Sequence, residues 1–118
     1  MNYDELIERL KNKEKITEEE WEYIYNHLNE KLKNQEEISE WEIRNIIYYG
    51  DFHVETVYGE PIKHGWFDAT LIFSIDGETC YSFCGYYHDD YGFEDIYSQV
   101  CPRVEKRKVV IEQWVEVD

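Results

Sequence analysis

The fold of the second half of the chain is decided by the stretch WFDATLIFSIDGETCYSFCGYY, residues 66–87. Its Asp-Gly pair favours a two-residue type I′ turn, because Gly accepts a positive φ and Asp tolerates one. The apolar and β-branched residues on either side predict two long antiparallel strands, 66–75 and 78–87. With a two-residue turn, Phe73 is expected opposite Cys80.

Three helices are predicted for residues 1–50, where apolar side chains recur at intervals of three and four. Each predicted helix begins with a capping signal, namely Asn2, Thr17 with Glu20, and Ser39 with Glu42. The third apolar stripe ends at Gly50, a residue typical of helix C-termini.

In the second half the apolar period changes from 3.6 to 2, which predicts strands. Phe93–Val100 fits one short amphipathic helix ended by a proline, and Lys108–Val117 alternates as a last strand. The sequence therefore predicts one α+β domain over residues 1–118. It consists of a helical part, 1–50, and an antiparallel sheet of about four strands, 51–118, with one short helix before the last strand.

The chain carries 27 Asp and Glu against 12 Lys and Arg, a formal net charge of −15. The imbalance is concentrated in residues 51–102, which hold ten acids and one base, Lys63. Residues 1–50 hold 13 acids and seven bases, and residues 103–118 hold four of each. This charge excludes a protein that grips nucleic-acid phosphates, because such proteins need a basic surface to displace counterions.

Membrane and secreted classes are also disfavoured. No apolar run approaches the roughly 18 residues needed to cross a bilayer, and the charged start, Met1–Lys15, is unlike a signal peptide. An odd number of cysteines, three, favours free thiols over a disulfide framework. We therefore expect a cytoplasmic protein with no membrane partner.

Two clusters contain the residue types of metal sites. Cys80, Cys84, His88 and Cys101 are ligand types that zinc accepts, but in an extended strand Cys80 and Cys84 lie about 13 Å apart, too far for one ion. The run Tyr86–Asp95 holds four carboxylates and an imidazole. It lacks the spacing of a calcium loop, and no second acidic motif of a two-metal nuclease is present. We expect no metal, no cofactor and no catalytic residue.

The run Tyr86–Asp95 has two further interpretations. One is a solvated acidic loop. The other is a protein-binding surface, because aromatic side chains among carboxylates supply both apolar anchors and countercharge. The basic cluster of Arg103, Lys106, Arg107 and Lys108 is expected to protect a sheet edge or to pair with the protein's own acids.

The net charge favours a protein-binding surface. A charge of −15 equals the phosphate charge on about 25 Å of duplex, and it exceeds the magnitude of about 2 to 8 that solubility requires. The favoured hypothesis is an inhibitor that occupies the basic groove of a nucleic-acid-handling enzyme and does not itself bind nucleic acid. The charge is assigned to Asp68, Asp76, Glu78, Asp89, Asp90, Glu94 and Asp95, and the apolar anchors to Tyr86, Tyr87, Tyr91 and Phe93.

The opening Met1-Asn2-Tyr3-Asp4-Glu5-Leu6-Ile7-Glu8-Arg9-Leu10-Lys11-Asn12-Lys13 is an amphipathic helix pattern. Together with the small size, the acidity and the many tyrosines, it resembles the small acidic anti-CRISPR proteins of phages and prophages. Some of these block the site at which a CRISPR effector nuclease reads its target DNA. The resemblance implies an inhibitor in the cytoplasm of a bacterial host, with a CRISPR effector nuclease as partner. It transfers no residue contacts, and the helices-first order departs from the family's pattern.

Two other functions stay open. An immunity protein or antitoxin would neutralise a basic nuclease toxin by the same electrostatic attraction. A small metal-dependent hydrolase would use the loop at Asp89 and Asp90. The sequence also leaves open a homodimer formed through the long hairpin, and which face of the sheet meets the helices.

Overall fold

A computed structural model describes residues 1–94, 96–110 and 112–117. Its helices come first: α1 (Tyr3–Lys11), α2 (Glu18–Lys33) and α3 (Glu40–Tyr48), with a short strand β1 (Glu37–Ile38) between the last two. The strands that follow are β2 (His53–Lys63), β3 (Trp66–Phe73), β4 (Cys80–His88), β5 (Gly92–Glu94), β6 (Gln99–Val100) and β7 (Arg103–Val104). The chain is therefore α+β, as predicted.

The three predicted helix starts are confirmed. The Asn2 side chain accepts a hydrogen bond from the Glu5 backbone N–H, and both reciprocal bonds of a capping box are present at Thr17 and at Ser39. Such caps satisfy backbone donors that a helix leaves unpaired, and each contributes about 1 kcal/mol. Among the described residues, no helix is both long and apolar enough to cross a membrane.

The main sheet is antiparallel, in the order β2-β3-β4-β5, and β7 also pairs with β4. Between β5 and β7, the Gln99 side chain takes the place of a strand partner. Its amide oxygen accepts from the Cys84 N–H at 2.9 Å, and its amide nitrogen donates to the Cys84 carbonyl at 3.0 Å. The Ser82 N–H donates to the Pro102 carbonyl at 3.1 Å. The outer edge of β4 is thus bonded by short pieces of chain rather than by one long strand.

The prediction of a two-residue turn between β3 and β4 is wrong. Phe73 lies opposite Tyr81 instead of Cys80, and residues 74–79 form the connection. The longer loop is held by Asp76, whose Oδ1 accepts from the backbone N–H groups of Glu78 and Thr79, each at 2.8 Å. A one-residue change of register exchanges the two faces of a strand. Tyr81 therefore joins the core.

The helices pack on the face of the sheet that carries the odd-numbered residues of β3 and β4. The main core combines α2, α3 and β1 with this face, through Leu28, Leu32, Ile38, Ile43, Ile46, Ala69, Leu71, Phe73, Tyr81 and Phe83. A second cluster joins α1 to α2 through Tyr3, Leu6, Ile7 and Ile24. The small β1–β6 ladder adds a further tie between the helical part and the sheet part.

Both elements predicted after β4 are wrong over the described residues. Where a helix was expected over Phe93–Val100, the chain forms β5, an irregular piece at 96–98, and β6. The reason is that Phe93 packs under β4 against Phe83, at 5.3 Å between ring centroids, which keeps the chain extended. The predicted strand Lys108–Val117 has no regular structure at 108–110 and 112–117. Asp95, Ile111 and Asp118 lie outside the described residues.

Candidate functional site

The face of the sheet turned away from the helices carries a row of acids and aromatic rings. Asp68 lies opposite Tyr86, and Tyr86 lies opposite Glu94. Residues opposite one another point to the same face of a sheet, and neighbouring strands are about 4.8 Å apart. Asp68 and Glu94 therefore flank Tyr86 with their backbones about 10 Å apart. In the neighbouring outward row, Trp66 lies opposite His88.

The turn that follows β4 closes this face at one end of the sheet. The Asp89 N–H donates to the Gly65 carbonyl at 3.1 Å, which joins this turn to the turn between β2 and β3. The Asp90 N–H donates to His88 Nδ1 at 3.0 Å. Gly65 has a φ of +74°, and a Cβ there would lie 2.9 Å from His88 Nε2, so a side chain does not fit. The two acidic residues are thus held in place by backbone bonds.

Aromatic rings continue across the same end. The His88 ring lies between Trp66, at 4.9 Å, and Tyr91, at 4.7 Å, measured between ring centroids. Tyr86 and Tyr91 are 40% and 69% exposed, so both have ring surface free for a partner. We call the set Asp68, Asp89, Asp90 and Glu94, together with Tyr86 and Tyr91, the acidic end.

Two adjoining grooves lie beside the acidic end. One, of about 390 Å³, is lined by Ile62, Lys63, Trp66, Asp68 and Tyr86. The other, of about 250 Å³, runs from Asp68 and Tyr86 past Val57 and Thr70 to Tyr97. Asp68 and Tyr86 line both, so a carboxylate and a phenol stand where the grooves meet. A long cationic side chain fits such a place, since its stem is apolar and its head is charged.

The acids of residues 51–102 are not neutralised by the protein's own cations. All nine that the structure describes are exposed: Asp51, Glu55, Glu60, Asp68, Asp76, Glu78, Asp89, Asp90 and Glu94. The ion pairs among the described residues lie elsewhere, within residues 8–44 and between Glu105 and Arg107. Arg107 therefore pairs locally, and the basic cluster leaves the acids of the sheet unpaired.

Some of the residues predicted for a partner surface lie away from the acidic end. Asp76 and Glu78 lie in the β3–β4 loop at the opposite end of β3, a strand of eight residues, or about 26 Å. The hydrogen bonds that Asp76 accepts from Thr79 and Glu78 lower the pKa of its carboxyl group, so this acid serves the loop. Asp95 lies outside the described residues.

The expectation that Phe93 and Tyr87 are surface anchors needs correction. Phe93 is 6% exposed and belongs to the main core. Tyr87 is half-buried and packs edge-on against Phe93, with 5.3 Å between centroids. Alternation along β4 explains this, because Tyr87 points to the helix side and its neighbour Tyr86 points outward.

Sequence reasoning missed Trp66, His88 and Tyr97 as parts of this surface. The signal for Trp66 and His88 was available in principle, because both precede or follow the strand residues Asp68 and Tyr86 by two positions. Tyr97 gave no such signal, since it reaches the groove only through the irregular piece at 96–98.

The cysteines are free thiols: Cys84 is exposed, Cys80 is half-buried, and Cys101 is buried. Burial raises the pKa of the Cys101 thiol to about 12, so it is protonated at neutral pH. Within the described part of the chain, no group of three or more His, Cys, Asp or Glu side chains is placed to hold a metal ion. No protein-family model, curated protein or solved structure matches this chain.

Proposed function

We propose that the protein is an acidic, nucleic-acid-mimicking inhibitor that binds a basic nucleic-acid-handling enzyme, with a CRISPR effector nuclease as the preferred target. The observation that carries the proposal is that the nine described acids of residues 51–102 are all exposed and all outside the ion pairs of the fold. Unneutralised surface charge of one sign attracts a groove of the opposite sign over a long range and speeds association.

The acidic end is the proposed contact surface. It offers four carboxylates from two strands and one turn, and positions i and i+2 of a strand are about 6 to 7 Å apart. This spacing is comparable with that of phosphates along one nucleic-acid strand. A groove that holds phosphates with Arg and Lys can therefore hold these carboxylates with the same side chains.

Tyr86 gives the surface an anchor that a phosphate backbone lacks. Its ring lies between the carboxylates of Asp68 and Glu94. A guanidinium group that bonds these carboxylates also meets the face of a ring, which adds a cation–π attraction. Tyr and Arg are the residue types that most often dominate binding energy at interfaces. We expect an arginine of the target to bind here.

A competition experiment tests the proposal. A panel of purified DNA- and RNA-directed CRISPR effector nucleases is incubated with labelled target nucleic acid, and the protein is titrated in at 50 and 200 mM NaCl. We expect one or more nucleases to release their nucleic acid, with an affinity for the protein that falls at least about tenfold between the two salt concentrations.

A pair of variants with equal charge identifies the surface. The acidic-end variant replaces Asp68, Asp89 and Asp90 by Asn and Glu94 by Gln. The control replaces Glu14, Glu22, Glu36 and Glu37 by Gln; these acids are also exposed and in no ion pair. We expect association to slow about tenfold or more in the first variant only. Equal losses in both variants, or a panel in which no nuclease is displaced, would contradict the proposal. Displacement of nucleic acid from a basic nuclease toxin alone would indicate an immunity protein instead.

A further inference from the structure

The last part of the described chain exposes an apolar segment that nothing in the fold covers. Residues 105–110 and 112–117, which we call the tail, have no regular secondary structure. Five of their apolar side chains are at least 67% exposed: Val109, Val110, Trp114, Val115 and Val117. Contiguous exposed apolar residues of this kind mark interaction sites in soluble proteins.

The tail also has the composition of a strand that lacks a partner. Val and Trp favour strands, yet no strand forms at 108–110 or 112–117. The radius of gyration, 17.6 Å, exceeds the value of about 13.5 Å expected for a compact chain of this length. Trp114, at 103% exposure, has no contact that would hold it to the body.

The strand β2 offers an open edge. It is the first strand in the order of the main sheet, so only its β3 side is paired within the described chain. It is eleven residues long, and Val54, Val57 and Ile62 on it are 54%, 51% and 48% exposed. Open edges with exposed apolar residues pair readily with another strand, and proteins usually protect them with charge or a covering segment.

The path of the chain brings the tail to this edge. After β7, Val104, Glu105 and Lys106 lie over the outer face of the sheet and line one cavity of about 310 Å³ with Val54 and Glu55 of β2. The tail therefore leaves the body beside the start of β2. Two copies that face each other through their β2 edges would each have a tail close to the other's open edge.

Charge and length favour a second copy as the occupant. The basic residues Lys106, Arg107 and Lys108 begin the tail, whereas residues 51–102, which include β2, hold ten acids and one base. Each copy thus carries both halves of a complementary pair. The nine described residues of 108–117 and the eleven of β2 make 20 per copy, at the lower end of the roughly 20 to 30 that a stable interface uses per side.

We infer that the chain forms a two-fold symmetric homodimer in which the tail of each copy adds as a strand to β2 of the other. Two-fold dimers are the commonest protein assemblies, and exchange of an identical segment is an accessible route to them. The inference does not depend on the proposed function, because it uses the β2 edge and the tail, not the acidic end.

Mass measurement on the full chain tests the dimer. Sedimentation equilibrium from 1 to 100 μM is expected to give twice the 14.5 kDa of one chain. The double variant Val110→Ser, Trp114→Ser, which alters only exposed side chains, is expected to weaken the dimer at least about 100-fold while circular dichroism stays unchanged. A full chain that stays monomeric, or a double variant that dimerises as tightly as the wild type, would overturn the inference.

A second pair of variants locates the acceptor edge. Val57→Lys is compared with Val100→Lys, because these valines are 51% and 50% exposed and only the first lies on β2. Val57→Lys is expected to weaken the dimer about tenfold or more, since it places a charge against the apolar tail, and Val100→Lys to leave it unchanged. Equal effects of the two substitutions would show that the tail of the second copy does not lie on β2.

Discussion

The helical part, residues 1–50, and the sheet part, residues 51–102, are both rich in acids but use them differently. In the helical part the acids serve the fold. Glu20 and Glu42 complete capping boxes, and both also pair with a cation, Arg9 and Lys31 respectively. In the sheet part, none of the described acids is in an ion pair, and Asp76 in the β3–β4 loop is the described acid that accepts backbone hydrogen bonds.

The comparison separates the acids that hold the fold from those that are free for a partner. A carboxylate that accepts hydrogen bonds and faces a cation is hard to replace without a loss of stability. A carboxylate surrounded by water contributes little to the fold and adds to the self-repulsion of a charged protein. Substitutions in the two parts should therefore differ in their effects on the free energy of unfolding.

Glu42→Gln is expected to have the largest effect. The Glu42 carboxylate is 4% exposed, accepts from Tyr3 Oη at 2.6 Å, and receives Lys31 Nζ at 2.9 Å on both oxygens. Removal of its charge leaves Lys31 without a partner, so the free energy of unfolding, measured in urea, should fall by about 3 kcal/mol. Glu22→Gln, at an exposed acid on α2, should change it by less than about 0.5 kcal/mol. Equal effects of the two substitutions would refute the special role of Glu42.

The same carboxylate should make stability depend on acid pH. Burial alone would raise the pKa of Glu42, but hydrogen bonds from Tyr3, Lys31 and Ser39 outweigh it, so its pKa in the folded state is lowered. The stabilisation is therefore complete above the unfolded value, about 4.3, and is lost as the pH falls through the folded pKa. The difference in unfolding free energy between wild type and Glu42→Gln should narrow below about pH 4. A difference that stays constant down to pH 2 would contradict this prediction.

Asp76→Ala should have an intermediate effect. It removes the acceptor of two backbone N–H groups in the β3–β4 loop, and we expect a loss of about 1 kcal/mol. Glu78→Ala serves as the control, because Glu78 lies exposed in the same loop and its side chain makes no hydrogen bond within the described residues. If the two substitutions cost the same, Asp76 belongs with the free acids of the sheet part, and the comparison has to be redrawn.

The helices could be predicted from the sequence because their signals are local. Capping boxes and apolar stripes act over three to seven residues, and Thr17, Ser39 and Asn2 carry them completely. The long strands were also predicted, since apolar residues flank Asp76-Gly77. Their register was not, because Asp76 bonds forward to Thr79 and lengthens the loop, a choice that an Asp-Gly pair alone does not reveal.

The candidate site was less predictable, since it depends on contacts between distant residues. Once the register shifts by one, the outward residues of β4 change, and only Tyr86 and Tyr91 remain exposed of the four aromatic anchors predicted. The missing helix at Phe93–Val100 has a similar origin. Its apolar residues fit a helical period, but Phe93 and Ile96 are buried in the core formed with β3 and β4. Packing between distant residues overrides a local pattern of this length.

The central claim is that the fold does not need the charges of the acidic end. The acidic-end variant, with Asp68, Asp89 and Asp90 replaced by Asn and Glu94 by Gln, tests it most directly through the free energy of unfolding in urea at low salt. We predict a value within about 0.5 kcal/mol of the wild type, or slightly higher because self-repulsion falls. A loss of about 2 kcal/mol or more would show that these carboxylates hold the fold together, and it would contradict the claim.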